Sequence, residues 1–420
     1  MAAETVDTLV VGAGQAGLAM SEHLSLARVP HLVLERHRIA ERWRSERWDS
    51  LVANGPAWHD RFPTRAFETE PDGFPARDSV VGYMEAYARQ ISAPVRCGVS
   101  VERVTAQPSR PGFRVETSEG LIEARSVVAA TGPFQRPVVP PIVPDGSPIV
   151  QLHSSAYRNP ESLPPGAVLV VGAGSSGAQI ADELLRAGRE VTLSIGPHER
   201  PPRRYRGRDY CWWLGVLGKW DLAAKSPGTE HVTISVSGAH GGETVDFRRF
   251  AARGMTLVGM ADRVEDSVLH IRPGLAETIA EGDRYYMDLL DEADAFAAAE
   301  GLSLPEDPEA RRLLPMPECV AAPIDALDLG AFTSIVWATG YAFDFSWVEL
   351  DLFAPDGRPR HHRGVTAAPG FYFLGLPWLS RRGSSFIWGV WHDARHLADQ
   401  ISIQRAYFDH HAARLVQEGA

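Results

Sequence analysis

Two glycine-rich turns of one design recur in this chain, each between an apolar run and a stretch with helical periodicity. The first is Gly12-Ala13-Gly14-Gln15-Ala16-Gly17, preceded by Asp7-Thr8-Leu9-Val10-Val11. The second is Gly172-Ala173-Gly174-Ser175-Ser176-Gly177, preceded by Ala167-Val168-Leu169-Val170-Val171. A GxGxxG pattern is informative in this strand–turn–helix setting. There the glycines permit a tight turn and let the backbone approach a pyrophosphate seated on the helix N-terminus. One such turn is a weak signal. Two in full context imply two dinucleotides, and a protein that binds two usually passes electrons between them.

The strand after the first turn, His31-Leu32-Val33-Leu34-Glu35, ends in an acid. Glu35 stands at about the 20-residue spacing where a carboxylate accepts hydrogen bonds from ribose hydroxyls. That suits FAD or NAD, and a chain that enters the strand almost at once has the usual FAD arrangement. The plain alternative for Glu35 is a solvated strand-end charge. The equivalent strand of the second unit, Glu190-Val191-Thr192-Leu193-Ser194, carries no acid where one is expected. Arg200, Arg203 and Arg204 follow it. A serine with arginines nearby can take a 2′-phosphate through charge-assisted bonds, whereas a carboxylate would repel it. NADPH is therefore expected there, held by Ser194, Arg203 and Arg204. The alternative for each arginine is a solvated basic loop.

Composition narrows the rest. With 420 residues the chain has room for two or three domains. A formal net charge of −11 argues against nucleic acid as a partner. No apolar run approaches the ~20 residues of a membrane span. No signal peptide precedes the first strand, so a cytoplasmic location is expected. Cys97, Cys211 and Cys319 are isolated from one another, so no CxxC dithiol is expected to relay electrons from a flavin. No His/Cys cluster has metal-ligand spacing, and no metal is expected.

The expected fold class is α/β, with two Rossmann-like dinucleotide-binding domains, the NADPH domain inserted into the FAD domain. Residues 1–150 read as the first part of the FAD domain, 151–328 as the inserted NADPH domain and 329–420 as the second part of the FAD domain. The segment Thr333-Ser334-Ile335-Val336-Trp337-Ala338-Thr339-Gly340 repeats the strand-plus-ATG pattern of Ser126–Gly132. It reads as the return of the chain to the first domain. Helices are expected around Val80–Gln90, Leu275–Glu300 and Phe386–Ile403.

With these motifs the chain resembles the class B flavoprotein monooxygenases, the single-component FAD- and NADPH-dependent enzymes that include flavin-containing monooxygenases. The resemblance covers nearly the full length. It rests on both fingerprints, Arg42-Trp43, Trp48-Asp49-Ser50-Leu51, Asn54-Gly55-Pro56, Ala130-Thr131-Gly132 and Ala338-Thr339-Gly340-Tyr341. The family pattern FxGxxxHxxx(F/Y/W) survives in part, as His153-Ser154-Ser155-Ala156-Tyr157, with Ser147 and Ile149 where Phe and Gly are expected. Baeyer–Villiger members usually carry Trp where Tyr157 stands.

The resemblance implies a set of contacts. Gly12, Gly14, Gln15, Ala16, Gly17, Glu35, Arg36, Arg42, Trp43, Val101, Ala130, Thr131 and Gly132 would bind FAD. Tyr157, Gly172, Gly174, Ser175, Ser176, Gly177, Ser194, Arg203, Arg204 and Gly340 would complete the cofactor sites. Asn54 would help hold the oxygenated flavin and the bound NADP. His153 would couple domain geometry. The chemistry implied is reduction of FAD by NADPH, addition of O2 to give a C4a-(hydro)peroxyflavin, and oxygenation of a small organic substrate. N- or S-oxygenation stands ahead of Baeyer–Villiger oxidation. The alternatives are a reductase or oxidase that releases hydrogen peroxide and a non-enzymatic flavin-binding protein. A small-molecule substrate and O2 are the expected partners, with a homodimer left open.

Overall fold

The apolar run before each glycine turn becomes a central strand of a sheet, because parallel strands covered on both faces need continuous apolar sequence. Glu4–Val11 pairs in parallel with His31–Glu35 and with Gly120–Ala129. Ala167–Val171 pairs in parallel with Val191–Ser194 and with Phe332–Trp337. Leu9, Val10, Val168, Leu169 and Val170 are fully buried. The computed structural model describes residues 3–108, 111–144, 146–224 and 233–418, with side chains described as far as 410.

The first sheet runs Val95–Cys97, His31–Glu35, Glu4–Val11, Gly120–Ala129, Phe113–Thr117, Val101–Ala106, and Phe371–Phe373 also pairs with Gly120–Ala129. The second runs Thr256–Val258, Val191–Ser194, Ala167–Val171, Phe332–Trp337, Val150–His153. The fingerprint helices are Gln15–Leu26 and Ser175–Arg186. The first packs against the C-terminal helix Ile387–Glu418, whose Val390, Ala394, Leu397, Ala398 and Ile401 enter the core of the first domain. That helix runs past the expected Ile403. The helices Arg77–Gln90 and Leu275–Ala299 lie close to their expected spans.

The expected domain boundary at 328/329 is corrected by the pairing. Phe332–Trp337 lies in the second sheet, between Ala167–Val171 and Val150–His153. Its ATG turn is therefore the second domain's counterpart of Ala130-Thr131-Gly132. Ala130 donates its N–H to the Val11 carbonyl at 2.9 Å, and Ala338 donates to the Val171 carbonyl at 2.8 Å. The chain rejoins the first domain after Gly340: Val104 donates to the Trp347 carbonyl at 2.7 Å, and Phe345 and Val348 enter the first core. A repeated motif cannot say which of two similar sheets it joins. Hydrogen-bond pairing decides that.

Candidate active site

At the first turn Gly12 adopts φ 107°, and a Cβ on Gly17 would fall 1.8 Å from the Gly12 carbonyl oxygen. Both positions demand glycine, one for its backbone angle and one for the close packing of helix on strand. Gly14 differs. A Cβ there would meet nothing within 4 Å, because it faces a cavity of about 550 Å³. Gly12, Gly14, Gln15, Ala16, Glu35, Arg36, Arg42, Trp43, Val101, Ala130, Thr131 and Gly132 all line this cavity. Gly17 does not; it packs beneath the turn. No side chain caps the Gln15–Leu26 helix, so its first amides are left for a ligand. Glu35 sits at the cavity edge, with Oε2 accepting from the Ala13 N–H at 2.9 Å and Oε1 from the His37 N–H at 3.0 Å. An open glycine cradle, uncapped amides and a carboxylate held at the strand end fit FAD.

Gln135 also lines the cavity, and sequence reasoning missed it. Its amide donates to Thr131 Oγ1 at 3.0 Å and the Gly132 carbonyl at 2.8 Å, and accepts from the Asp344 N–H at 2.6 Å. It thereby ties the ATG turn to the returning chain. Arg42 donates to the Gln135 carbonyl at 3.2 Å and pairs with Glu46. Gln15 reaches across to the Ser385 carbonyl at 3.1 Å, joining the fingerprint to the entrance of the C-terminal helix. The contacts of Gln135 with Asp344, of Arg42 with Gln135 and of Gln15 with Ser385 are long-range in sequence, and no local signal announces them.

The second turn has the same backbone. Gly172 has φ 103°, and a Cβ on Gly177 would lie 1.8 Å from the Gly172 carbonyl oxygen. Its helix is likewise uncapped by a side chain. The turn itself suits a pyrophosphate, but its approach is crossed by residues 233–236. Ser175 Oγ donates to the Ile234 carbonyl at 2.8 Å, Ser235 Oγ donates to the Ala173 carbonyl at 2.5 Å, and Thr233 Cγ2 lies 3.2 Å from where a Gly174 Cβ would stand. Ser176 is exposed.

The side chains expected to hold a 2′-phosphate are engaged with partners within the protein. Ser194 is buried; its Oγ donates to the Gly259 carbonyl at 2.9 Å and accepts from the Ala261 N–H at 3.1 Å. Arg203 is 1% exposed and is held bidentately by Asp209. It also donates to the Asn54 carbonyl at 2.5 Å and lies over the Phe74 ring. Arg200 pairs with Asp283, which Arg248 also holds. Arg204 is exposed and donates to the Gly241 carbonyl at 2.8 Å. The missing acid on the strand was legible; which basic residues turn inward to internal partners was not.

Tyr157 is also relocated. It is fully buried, and its hydroxyl donates to Glu183 at 2.7 Å, so it packs the second core instead of touching a dinucleotide. Burial, with the carboxylate beside it, pushes this phenol well up. Gly340 serves His153: its carbonyl lies 3.0 Å from His153 Nε2 and also accepts from the Val138 N–H at 3.0 Å. Burial holds the His153 imidazole below its usual range.

Asn54 stands in the seam between the domains and is not among the residues lining the 550 Å³ cavity. Gln179 of the second fingerprint helix donates to Asn54 Oδ1 at 2.8 Å and to the Val236 carbonyl at 2.9 Å. Beside it, Gly55 donates to Asp60 Oδ2 at 2.9 Å, and Asp60 Oδ1 lies 2.7 Å from His59 Nδ1. His59, Asp60 and the buried Cys211 bring ligand atoms within 4.8 Å of one another. No sequence spacing groups positions 59, 60 and 211. Trp220 stacks on the His59 ring at 5.0 Å and Trp388 meets its edge at 5.3 Å, while Trp213 is core.

A mixed sheet and a parallel sheet, each with a glycine turn at its strand ends, fit a protein that binds two dinucleotides. The pyridine nucleotide-disulphide oxidoreductase family matches residues 9–210. A CzcO-like oxidoreductase of Geobacillus kaustophilus is 33% identical over 94% of this chain and 98% of its own. The rice indole-3-pyruvate monooxygenase YUCCA1 is 33% identical over 44% of this chain and 47% of its own. A flavin-containing monooxygenase from Stenotrophomonas maltophilia shares the fold, with TM-score 0.66 at 22% identity over 95% of this chain and 99% of that one. The chain belongs to the CzcO-like oxidoreductases. It is an oxidoreductase, and its first cavity fits FAD. Among the described residues no helix is long and apolar enough to cross a membrane.

Proposed function

We propose that this enzyme inserts one oxygen atom of O2 into a small organic substrate, at nitrogen or sulfur in preference to Baeyer–Villiger insertion. Bound in the first cavity, FAD would supply two-electron transfer from NADPH and the activation of O2. The carrying observation is the open first cavity beside a second, separate fingerprint domain. The chain's own residues serve that chemistry by holding and sealing. Glu35 and the amides after Gly14 would hold a ribose and the pyrophosphate. Trp43 and Phe134, with Arg47 over both rings at 5.9 and 4.9 Å, cover the cavity against water. His153, seated on Gly340, joins the inter-domain strand to the ATG turn. The isolated cysteines favour oxygen over a dithiol as electron acceptor, and Tyr157 in place of Trp favours heteroatom oxygenation.

The test is turnover with NADPH under ¹⁸O2 against a panel of amines, sulfides, indoles and ketones. The expected result is product carrying one ¹⁸O with NADPH consumed in proportion. Stoichiometric hydrogen peroxide with every compound would reassign the protein as an oxidase.

A further inference from the structure

The two fingerprints are a matched pair within one molecule, and they differ at their middle glycine. Gly14 faces open space, while a Gly174 Cβ would stand in tight contact with Thr233 Cγ2 at 3.2 Å and 4.0 Å from the Ile234 carbonyl oxygen. This middle glycine is the one that lets a backbone approach a pyrophosphate. In the second domain the chain itself has made that approach. The Ile234 carbonyl oxygen accepts from Ser175 Oγ, as a phosphate oxygen would, and Ser175 Oγ in turn accepts from the Val236 N–H at 3.4 Å. Ser235, fully buried, donates to the Ala173 carbonyl within the turn.

The crossing segment is anchored on both sides. Glu199 donates its N–H to the Thr233 carbonyl at 2.7 Å and accepts from the Ser235 N–H at 2.8 Å. The Glu199 carboxylate lies 3.3 Å from Arg382, next to the C-terminal helix of the FAD domain. Further along, the Val236 carbonyl accepts from Gln179, which also holds Asn54. A Cβ on Gly238 would lie 2.1 Å from the Ala53 carbonyl oxygen, so the segment ends tight against the FAD-domain loop.

We propose that residues 233–237 form a strap that occupies the pyrophosphate place of the NADPH site, and that coenzyme binding displaces it. The proposal rests on NADPH using the second fingerprint. The strapped form is a self-inhibited state. Its bonds compete with the coenzyme, so apparent affinity is reduced by the fraction of molecules whose strap is closed. Because Gln179 holds both Val236 and Asn54, release of the strap frees Gln179 from one of its two partners. Coenzyme entry is thereby coupled to the seam, and the coupling is reciprocal.

The experiment uses the FAD-loaded enzyme and NADP⁺, read by calorimetry and by hydrogen exchange. Ser235→Ala removes a strap bond without touching a group that would contact the coenzyme. It should tighten NADP⁺ binding about fivefold, the worth of one such hydrogen bond. In the unaltered enzyme, saturating NADP⁺ should speed exchange of the Ser235 and Val236 amides, which lose the Glu199 carbonyl and Ser175 Oγ. Weaker or unchanged binding in Ser235→Ala, or greater protection of those amides, overturns the strap. Should Ser235→Ala not fold, the exchange measurement decides alone. Absence of NADP⁺ binding to both proteins overturns the strap together with the coenzyme assignment; binding to the unaltered enzyme with a protected strap overturns the strap only.

Discussion

Asn54 and Gln179 meet across the seam between the two domains, Asn54 Oδ1 accepting from Gln179 Nε2 at 2.8 Å. Asn54 also offers its carbonyl to the buried Arg203. The residue is thus fixed at both its backbone and its side chain by the NADPH domain, while its chain neighbours Ala53 and Gly55 belong to the FAD domain. Asn54→Ala should leave FAD bound, because the first cavity lies elsewhere. It should loosen the seam and raise the ratio of hydrogen peroxide released to NADPH consumed. Loss of one hydrogen bond, about 1 kcal/mol, shifts two competing paths by about fivefold. An unchanged peroxide ratio would make Asn54 an ordinary turn residue.

The glycines of the first turn should separate binding from folding. Gly14→Val places its branches in open cavity, so the protein should fold and be colourless. Gly17→Ala drives a Cβ to 1.8 Å from the Gly12 carbonyl oxygen, and the strand–helix junction must move. It should fail to accumulate as folded protein. A yellow Gly14→Val enzyme would displace FAD from the first fingerprint.

Ser194 holds the strand end to the Gly259–Ala261 segment and should behave as a structural residue. Ser194→Ala should cost about 1–2 kcal/mol of stability and leave the preference for NADPH over NADH unaltered. Ser194→Asp buries an unpaired carboxylate and should cost about 3–5 kcal/mol. Melting curves together with kcat/KM for both coenzymes check this. A coenzyme switch in a well-folded Ser194→Asp enzyme would restore Ser194 to the 2′-phosphate site.

Arg203 and Arg204 are neighbours with opposite fates. Arg203→Ala leaves Asp209 buried without its partner and should destabilise by about 3–5 kcal/mol. Arg204→Ala removes an exposed side chain and should stay within about 0.5 kcal/mol. Chemical denaturation of the two variants side by side is the measurement. Equal midpoints would contradict the buried pair.

Stability should fall in mild acid. His198 is held against Phe247 and Gly282, its Nε2 buried without a partner. Burial lowers its pKa, and it likewise lowers those of His23, His31 and His153. A histidine whose folded pKa is depressed stabilises the fold above its unfolded value, about 6.5. That contribution is lost as pH falls toward the depressed value, because the unfolded chain then binds more protons. Melting temperature should therefore drop between pH 7.5 and 5.5, and His198→Gln should flatten the drop. A melting temperature that rises on acidification would show these rings are charged in the folded protein.

What the sequence alone determined was local and repeated. Two strand–glycine–helix units, the acid at Glu35, the ATG turns and the lack of paired cysteines follow from short spacings, because steric limits on a turn act within a few residues. They placed the first cavity and twelve of the residues that line it. Tertiary structure alone decided which sheet Phe332–Trp337 joins, since two similar sheets offer the same parallel pairing. It also decided the fate of polar side chains whose partners lie far along the chain. Arg203 finds Asp209 and Asn54, Tyr157 finds Glu183, Gln179 finds Asn54, and Ser235 finds Ala173. A buried charge or hydroxyl must take whichever partner the packed interior presents, and that choice exists only once the chain is folded.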